Sequence, residues 1–238
     1  MIEQHTETQA LPLLIGSGRL AKHLKYYFAS IQLNHLCWSR GESIEILNQL
    51  ISNSSFAMLA ISDDAIEQFY LDHLSKTHLT VVHFSGAYFH QKMIGFHPLM
   101  TFTQSLYTLE FYKKIHFAVS SVDQFKKLLP QLSNPCFLLS DSKKGLYHAW
   151  AVVMASGTQS LWRQAFQQMK AIGVPEQACE LYLKQVTEQF FLIPKNSMTG
   201  PWVRKDQKTI EKNKVSLKTP QDRKLYELLQ SLAEKDLT

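Results

Sequence analysis

The stretch Leu11-Pro12-Leu13-Leu14-Ile15-Gly16-Ser17-Gly18-Arg19-Leu20-Ala21, LPLLIGSGRLA, decides how the rest of the chain is read. A short apolar run stops at Gly16. From Arg19 onward the apolar residues Leu20, Leu24 and Phe28 recur every fourth position, the spacing of one helix face. Strand, turn and helix in that order make Gly16 to Ala21 a G-x-G-x-x-A fingerprint in its proper context. Gly16 permits a tight turn, Gly18 lets the backbone approach a pyrophosphate, and the small Ala21 allows close packing of helix on strand. The helix N-terminus offers free N–H groups and a positive dipole end to phosphate. A dinucleotide site on Gly16, Ser17, Gly18, Arg19, Leu20 and Ala21 is the expectation, against the plainer reading of a glycine-rich turn.

Working outward, His35 to Ser39 reads as the next strand, closing a βαβ unit of about thirty residues. About twenty residues past the glycines, an acidic residue would bond the ribose hydroxyls of NAD. This chain has Ser39 and Arg40 there. A carboxylate would repel a 2′-phosphate, whereas a hydroxyl donates to it and a guanidinium pairs with it or stacks on adenine. Ser39 and Arg40 therefore point to NADP(H), the alternative being that Arg40 is only an exposed turn residue.

Further apolar runs at Phe56 to Ile61, Leu79 to Phe84 and Ile115 to Val119 alternate with helical or turn-rich segments, which argues for a mostly parallel sheet covered by helices. Beyond Phe137-Leu138-Leu139 no strand is convincing. Helices are expected over Lys143 to Ile172, Pro175 to Ile193 and Gln221 to Leu232, with a short one around Asp206 to Lys214 in a polar stretch. The fold class is thus α/β: a doubly wound Rossmann domain over residues 1–140, followed by an all-α domain over 141–238.

A chain of 238 residues with 45% hydrophobic content has enough apolar material for a sizeable core. Its formal charge of +5 is carried by scattered basic residues, which suits a solvated face and small anionic ligands better than nucleic acid. The start, MIEQHTETQA, lacks the basic cluster of a signal peptide, so a cytoplasmic location is expected. No apolar run reaches the ~18 residues of a membrane span. Cys37, Cys136 and Cys179 have no C-x-x-C spacing and read as reduced thiols, and no cluster has metal-ligand spacing.

Ligands in open α/β sheets collect at the carboxyl ends of strands. Ile61, Ser62 and Asp63 follow one strand and Ser85 and Gly86 another, so all five are candidates for lining the ribose and nicotinamide. Ser62 or Asp63 also suits a helix cap. Lys144 and His148, four apart, share a helix face, with Ser156 further along it. Reducing a carbonyl needs a cation or acid at the developing alkoxide, and this pair is the best catalytic candidate, either member being the proton donor. A solvated Lys144 and a core His148 is the alternative. His97, held extended by Pro98, sits at the cleft rim, anchoring a loop or touching substrate. Ser85 is a candidate for ligand contact, and His83 reads as core. Arg204 is suited to clamp a substrate carboxylate, with Asp206 capping the following helix or pairing with Arg204.

Five groups of residues, IGSGRLA, AISDDAI, HFSGA with GFHPLMTF, KGLYHAWAV and TGPWVRKD, occur in this order along nearly the whole chain. Together they resemble bacterial Rossmann-like oxidoreductases whose C-terminal helical domain belongs to the 6-phosphogluconate dehydrogenase superfamily, alongside ketopantoate and pyrroline-5-carboxylate reductases. The resemblance implies an N-terminal NADP-binding domain, a helical domain supplying the other wall of the cleft, and a homodimer built through those helices. It implies a small anionic 2-oxo acid as substrate, most concretely ketopantoate; an imine reductase and a non-catalytic NADP(H) sensor are the alternatives. The chain departs from its relatives at Ser156-Gly157, where they often carry Asn, and at Arg204-Lys205-Asp206, where they often have Arg-Gly-Asp.

Overall fold

The computed structural model describes residues 10–194 and 197–235. The polar N-terminal stretch, apart from Ala10, therefore lies outside the described residues, as do residues 195–196 of the polar segment before Pro220. The chain divides into two compact units, residues 1–159 and 160–238.

In the first unit seven strands form one sheet in the order β2-β1-β3-β4-β5-β6-β7. They are β1 (Leu11–Ile15), β2 (Leu36–Trp38), β3 (Ser54–Leu59), β4 (Thr80–His83), β5 (Met93–Pro98), β6 (Phe117–Val119) and β7 (Cys136–Leu138). All neighbours run parallel except β5 and β6, which are antiparallel. Helices α1 (Arg19–Ser30), α2 (Ile44–Ser52), α3 (Asp63–Phe69), α4 (Leu109–Lys114) and α5 (Val122–Leu128) connect them. Successive strand residues feed opposite cores. Leu14, Met58 and Val82 pack with Leu24, Phe28 and Tyr112 on one face, while Leu13, Ile15, Leu59 and Val81 pack with Leu47, Ile51 and Ile66 on the other. A sheet covered on both faces has strands that are apolar throughout, which is why LPLLI and FAML read as continuous runs. Pro12, which has no N–H to give a ladder, coincides with the register shift between Leu11 and Leu13.

The chain leaves β1 for β2 on one side and returns to β3 on the other, so a crevice opens beyond the carboxyl ends of β1 and β3. Gly16 N–H bonds Trp38 O and Ala60 N–H bonds Ile15 O, both at 2.9 Å, carrying the ladder to the crevice floor.

Strand β5 was not expected from sequence. Gly95 and the His97-Pro98 pair break the apolar pattern, and only pairing to β4 and β6 reveals it. The expected long helix after β7 is helical in three pieces: α6 (Lys144–Val152), a π turn over Val153–Gly157, and α7 (Thr158–Ala171). Strand content ends at Leu138, near residue 140 as read from sequence, whereas the compact unit runs on to Gln159. The reason is that α6 belongs to it: the buried Lys144 docks under β5, and Tyr147 and His148 meet His97.

In the second unit α8 (Glu176–Leu192), α9 (Gln207–Ser216) and α10 (Pro220–Lys235) fall close to the helices expected. Gly173, at φ 85°, ends α7, with Val174 N–H returning to Met169 O at 3.0 Å. Asp206 caps α9 by accepting the N–H of Thr209 at 3.2 Å. Thr219 receives the Asp222 N–H at 3.1 Å and donates to its carboxylate.

Candidate functional site

The crevice is an open cavity of about 820 Å³. Gly16 to Leu20 form one wall. Gly16 has φ +140°, and a Cβ there would stand 2.2 Å from Ala60 O, so the turn tolerates no side chain. A Cβ on Gly18 meets nothing within 4 Å, since that face of the backbone looks into open space. Helix α1 has no capping side chain and no acidic residue in its first turn, which leaves its N-terminal dipole uncompensated. Ala21 is fully buried behind this wall rather than in it, packed near Gly16.

Ser39 and Arg40 border the same cavity beside Trp38. Neither the Ser39 hydroxyl nor the Arg40 guanidinium has a partner among the described residues. Ile61 and Ser62 line the opposite side, and Ser156 reaches it from the π turn. Ser156, expected further along the helix face of Lys144 and His148, lies in the π turn and borders this cavity. Met100, Thr101, Phe102, Ala65 and Phe69 complete the wall and were not picked out from sequence, being apolar or small residues without a chemical signature.

Asp63, Ser85 and Gly86 do not line this cavity. Ser85 donates to Asp63 Oδ2 at 2.6 Å and accepts the N–H groups of Tyr88 and Ala87 at 3.0 and 3.3 Å. Its hydroxyl, expected at a ligand, here holds the turn after β4 onto α3. Ser62 is the N-cap residue of α3, yet its side chain makes no cap bond.

At the carboxyl ends of β4 and β5, on the same edge of the parallel sheet, lies a second group of polar side chains. Lys144 is 3% exposed and donates from Nζ to Tyr88 O at 2.8 Å. A Cβ on Gly95 would stand 2.4 Å from Nζ, so the strand admits the ammonium only because residue 95 is glycine. Burial lowers the Lys144 pKa from the usual lysine range, opposed by the carboxylates of Asp141 and Asp63. His97 Nδ1 is 2.8 Å from the Tyr147 hydroxyl. Burial pulls His97 down to about 4, with His148 and Lys144 adding to the effect, and burial pushes Tyr147 up to about 12. His97 and His148 cross with ring centroids 6.2 Å apart. Both close over Gly86, where a Cβ would be 2.7 Å from His148 Cδ2 and 2.9 Å from His97 Nε2. His148 forms no hydrogen bond among the described residues. His83, 1% exposed, is pulled down to about 3 by burial, then by Lys144, His90 and His97. It is a core residue, as read from sequence, with Nδ1 unpartnered.

The structure thus brings Lys144, His148, His97 and Gly86 together and ties Ser85 in from behind. Tyr147 and Gly95 were missed as functional residues. Tyr147 stands inside the quoted KGLYHAWAV, but its role emerges only from the contact with His97. Arg204 belongs to the second unit, where Nη1 donates to Thr199 O at 2.7 Å within its own turn. Of the two expectations for Asp206, the helix cap is the one observed as a hydrogen bond, with the Arg204 charge a lesser influence on its carboxylate. Among the described residues no group of three or more His, Cys, Asp or Glu is placed to hold a metal, and no helix is long and apolar enough to cross a membrane.

A domain family of unknown function, DUF2520, matches residues 118–232. No curated protein matches the chain. Among solved structures, protein TM1727 from Thermotoga maritima is 20% identical with a TM-score of 0.74, covering 95% of this chain and 98% of its own. Pyrroline carboxylate reductase from Plasmodium falciparum, solved with NADP bound, is 10% identical with a TM-score of 0.59, covering 97% of this chain and 99% of its own. An imine reductase from Myxococcus stipitatus is 12% identical with a TM-score of 0.59, covering 96% and 94%. At these identities the likeness establishes the shared fold, a Rossmann-like sheet followed by helices.

Proposed function

We propose that the chain is an NADP(H)-dependent oxidoreductase that reduces a small 2-oxo acid, most concretely ketopantoate to pantoate. The observation that carries this reading is the pairing, in one unit, of an open crevice with free phosphate donors and, at neighbouring strand ends, the buried Lys144 beside the half-buried His97 and His148. The crevice suits NADP(H): its glycine turn exposes backbone, and Ser39 and Arg40 hold unspent donors for a 2′-phosphate. The solved pyrroline carboxylate reductase of the same fold carries NADP, which supports the same choice.

When bound, the nicotinamide supplies the hydride. The residues of the chain manage charge and protons. Lys144 holds a desolvated cation whose attraction for a developing alkoxide is stronger than it would be in water. His148, free at both ring nitrogens, and Lys144 are the two candidates for giving the proton to that oxygen. The Tyr147 hydroxyl, reluctant to ionise, pairs with His97 Nδ1; with the phenol as donor, the neutral imidazole carries its proton on Nε2 and offers a donor without charge. Ser85, Asp63 and Gly95 position the group.

Imine reduction is the second reading, favoured by the imine and pyrroline carboxylate reductases among the structural neighbours. Such a substrate makes less demand on Lys144. The homodimer belongs to the proposal too, supported by α8, which leaves Leu181 and Phe191 71% and 75% exposed; so does a cytoplasmic location.

The test is consumption of NADPH in the presence of ketopantoate, followed by absorbance, for wild type and Lys144→Ala. Turnover lost in the variant supports the substrate and the role of Lys144. Tight NADPH binding without consumption overturns the ketopantoate assignment, and turnover of a cyclic imine unchanged in the variant favours the second reading.

A further inference from the structure

The turn after β2 contains a charged residue that the cofactor reading has not used. Glu42 Oε2 accepts the backbone N–H of Ser39 at 2.8 Å, and Glu42 N–H returns to Ser39 O at 2.9 Å. Of the donors gathered at this end of the crevice, the Ser39 hydroxyl and the Arg40 guanidinium are unpartnered, and the Ser39 N–H is held by a carboxylate. The backbone here is well fixed. Trp38 Nε1 donates to Ser43 O at 3.1 Å, and Ser43 caps α2 through the Ile46 N–H. The Glu42 side chain, by contrast, is exposed, so it is the part of the turn free to move.

We infer that Glu42 discriminates between coenzymes: its carboxylate occupies the backbone donor that a 2′-phosphate would take, so NADH binds with it in place and NADPH binds after it swings out. The inference rests on the dinucleotide reading of the crevice. An anion cannot share one N–H with a phosphate, and two like charges at the mouth of one pocket repel. With a ribose hydroxyl, the same carboxylate is instead an acceptor, the role an acidic residue at the end of this strand plays for NAD. The reach of the Glu42 charge is felt nearby: it raises the Cys37 thiol pKa, against Lys25, which lowers it, while burial is the larger cause of the rise. Because Glu42 is exposed, releasing it into water costs little, and the discrimination is modest.

The experiment is a titration of NADPH and, separately, NADH into wild type, Glu42→Gln and Glu42→Ala, read by nucleotide fluorescence, with a thermal melt of each protein to confirm folding. The glutamine keeps the size and an acceptor oxygen but removes the charge. The expected result is NADPH binding tighter by about three- to ten-fold in both variants, with NADH unchanged or weaker. Equal shifts for both coenzymes, or no shift for NADPH, overturn the inference. Wild type that binds neither coenzyme is a different result and overturns the dinucleotide reading itself.

Discussion

The two sites along the carboxyl edge of the sheet, one at β1 and β2 and the other at β4 and β5, pose opposite electrostatic problems. Around Ser39 and Arg40 the charges are exposed to water and salt, and the Ser39 hydroxyl and the Arg40 guanidinium have no partner among the described residues. Around Lys144 the charge is buried, Tyr88 O holds it, and burial displaces Lys144, His97, His83 and Tyr147 together. An exposed cation attracts a phosphate with an energy that water and ions dilute; a buried one acts at close to full strength on an atom placed beside it. On the proposed function, the first site selects a ligand reversibly and the second acts on charge that develops only during a reaction.

If that contrast holds, the largest effect of any single change falls at Lys144. Lys144→Met keeps much of the stem and removes the cation; turnover is expected to fall by about a thousand-fold, with NADPH affinity changed by less than about two-fold. A variant whose coenzyme affinity collapses while its turnover survives would break the comparison. Gly95→Ala tests the same site without touching the lysine. Its new Cβ would stand 2.4 Å from Nζ, so the ammonium must shift, and turnover is expected to drop by about ten- to a hundred-fold. Single-turnover kinetics on the purified variant, with a melt to show that the fold persists, checks this.

The two sites also differed in how far the sequence disclosed them. The crevice at the glycine turn is local: Gly16, Gly18, Ser39 and Arg40 fall within a single βαβ unit, and the position of each follows from strand, turn and helix spacing. The site at Lys144 is assembled from β4, β5 and α6, so the pairing of Lys144 with His148 could be read from helix spacing, while the meeting of His97 with Tyr147 needed a contact 50 residues apart. Ser85 shows the limit of strand position alone: a serine after a strand looks the same whether its hydroxyl faces a ligand or is bonded, as here, to an aspartate and two backbone amides. Ser156 was placed by a 3.6-residue period that the π turn interrupts. Glu42 lies three residues beyond Ser39, and only the folded turn brings its carboxylate back onto the Ser39 N–H, which strand spacing does not disclose.

A smaller and sharper effect concerns pH. His97 is held neutral to about pH 4 and His83 to about pH 3, below the ordinary histidine value near 6.5. The unfolded chain takes up these protons first. Stability contributed by keeping both rings neutral is therefore complete above about pH 6.5 and is lost progressively as pH falls toward 4 and then 3. The melting temperature is expected to decline across that window, with His83→Phe declining less. Tyr147→Phe removes the hydrogen bond at His97 Nδ1, which with the phenol as donor favours the neutral ring. The acid limb of the activity profile is expected to move upward from about pH 4, with turnover at pH 7 reduced by about ten-fold. An acid limb that stays in place in the variant would show that the phenol does not set the state of His97.

The smallest expected effect is at the exposed site, and its salt dependence is what makes it informative. Arg40→Ala should weaken NADPH binding by about ten-fold and NADH binding by less than about two-fold, because only the phosphate of NADPH gives the guanidinium a charge to pair with. At the ionic strength of a physiological buffer the screening length is about 8 Å, and at 1 M it shrinks to about 3 Å. The difference between wild type and Arg40→Ala should therefore narrow as salt is added, while the loss caused by Lys144→Met should not, since solvent ions do not enter a site whose lysine is 3% exposed. Measuring both variants at low and high salt compares the two sites under one perturbation. If the Arg40 effect were indifferent to salt, that guanidinium would be acting by stacking on adenine rather than by pairing with phosphate, and selection at this site would be a matter of packing instead of charge.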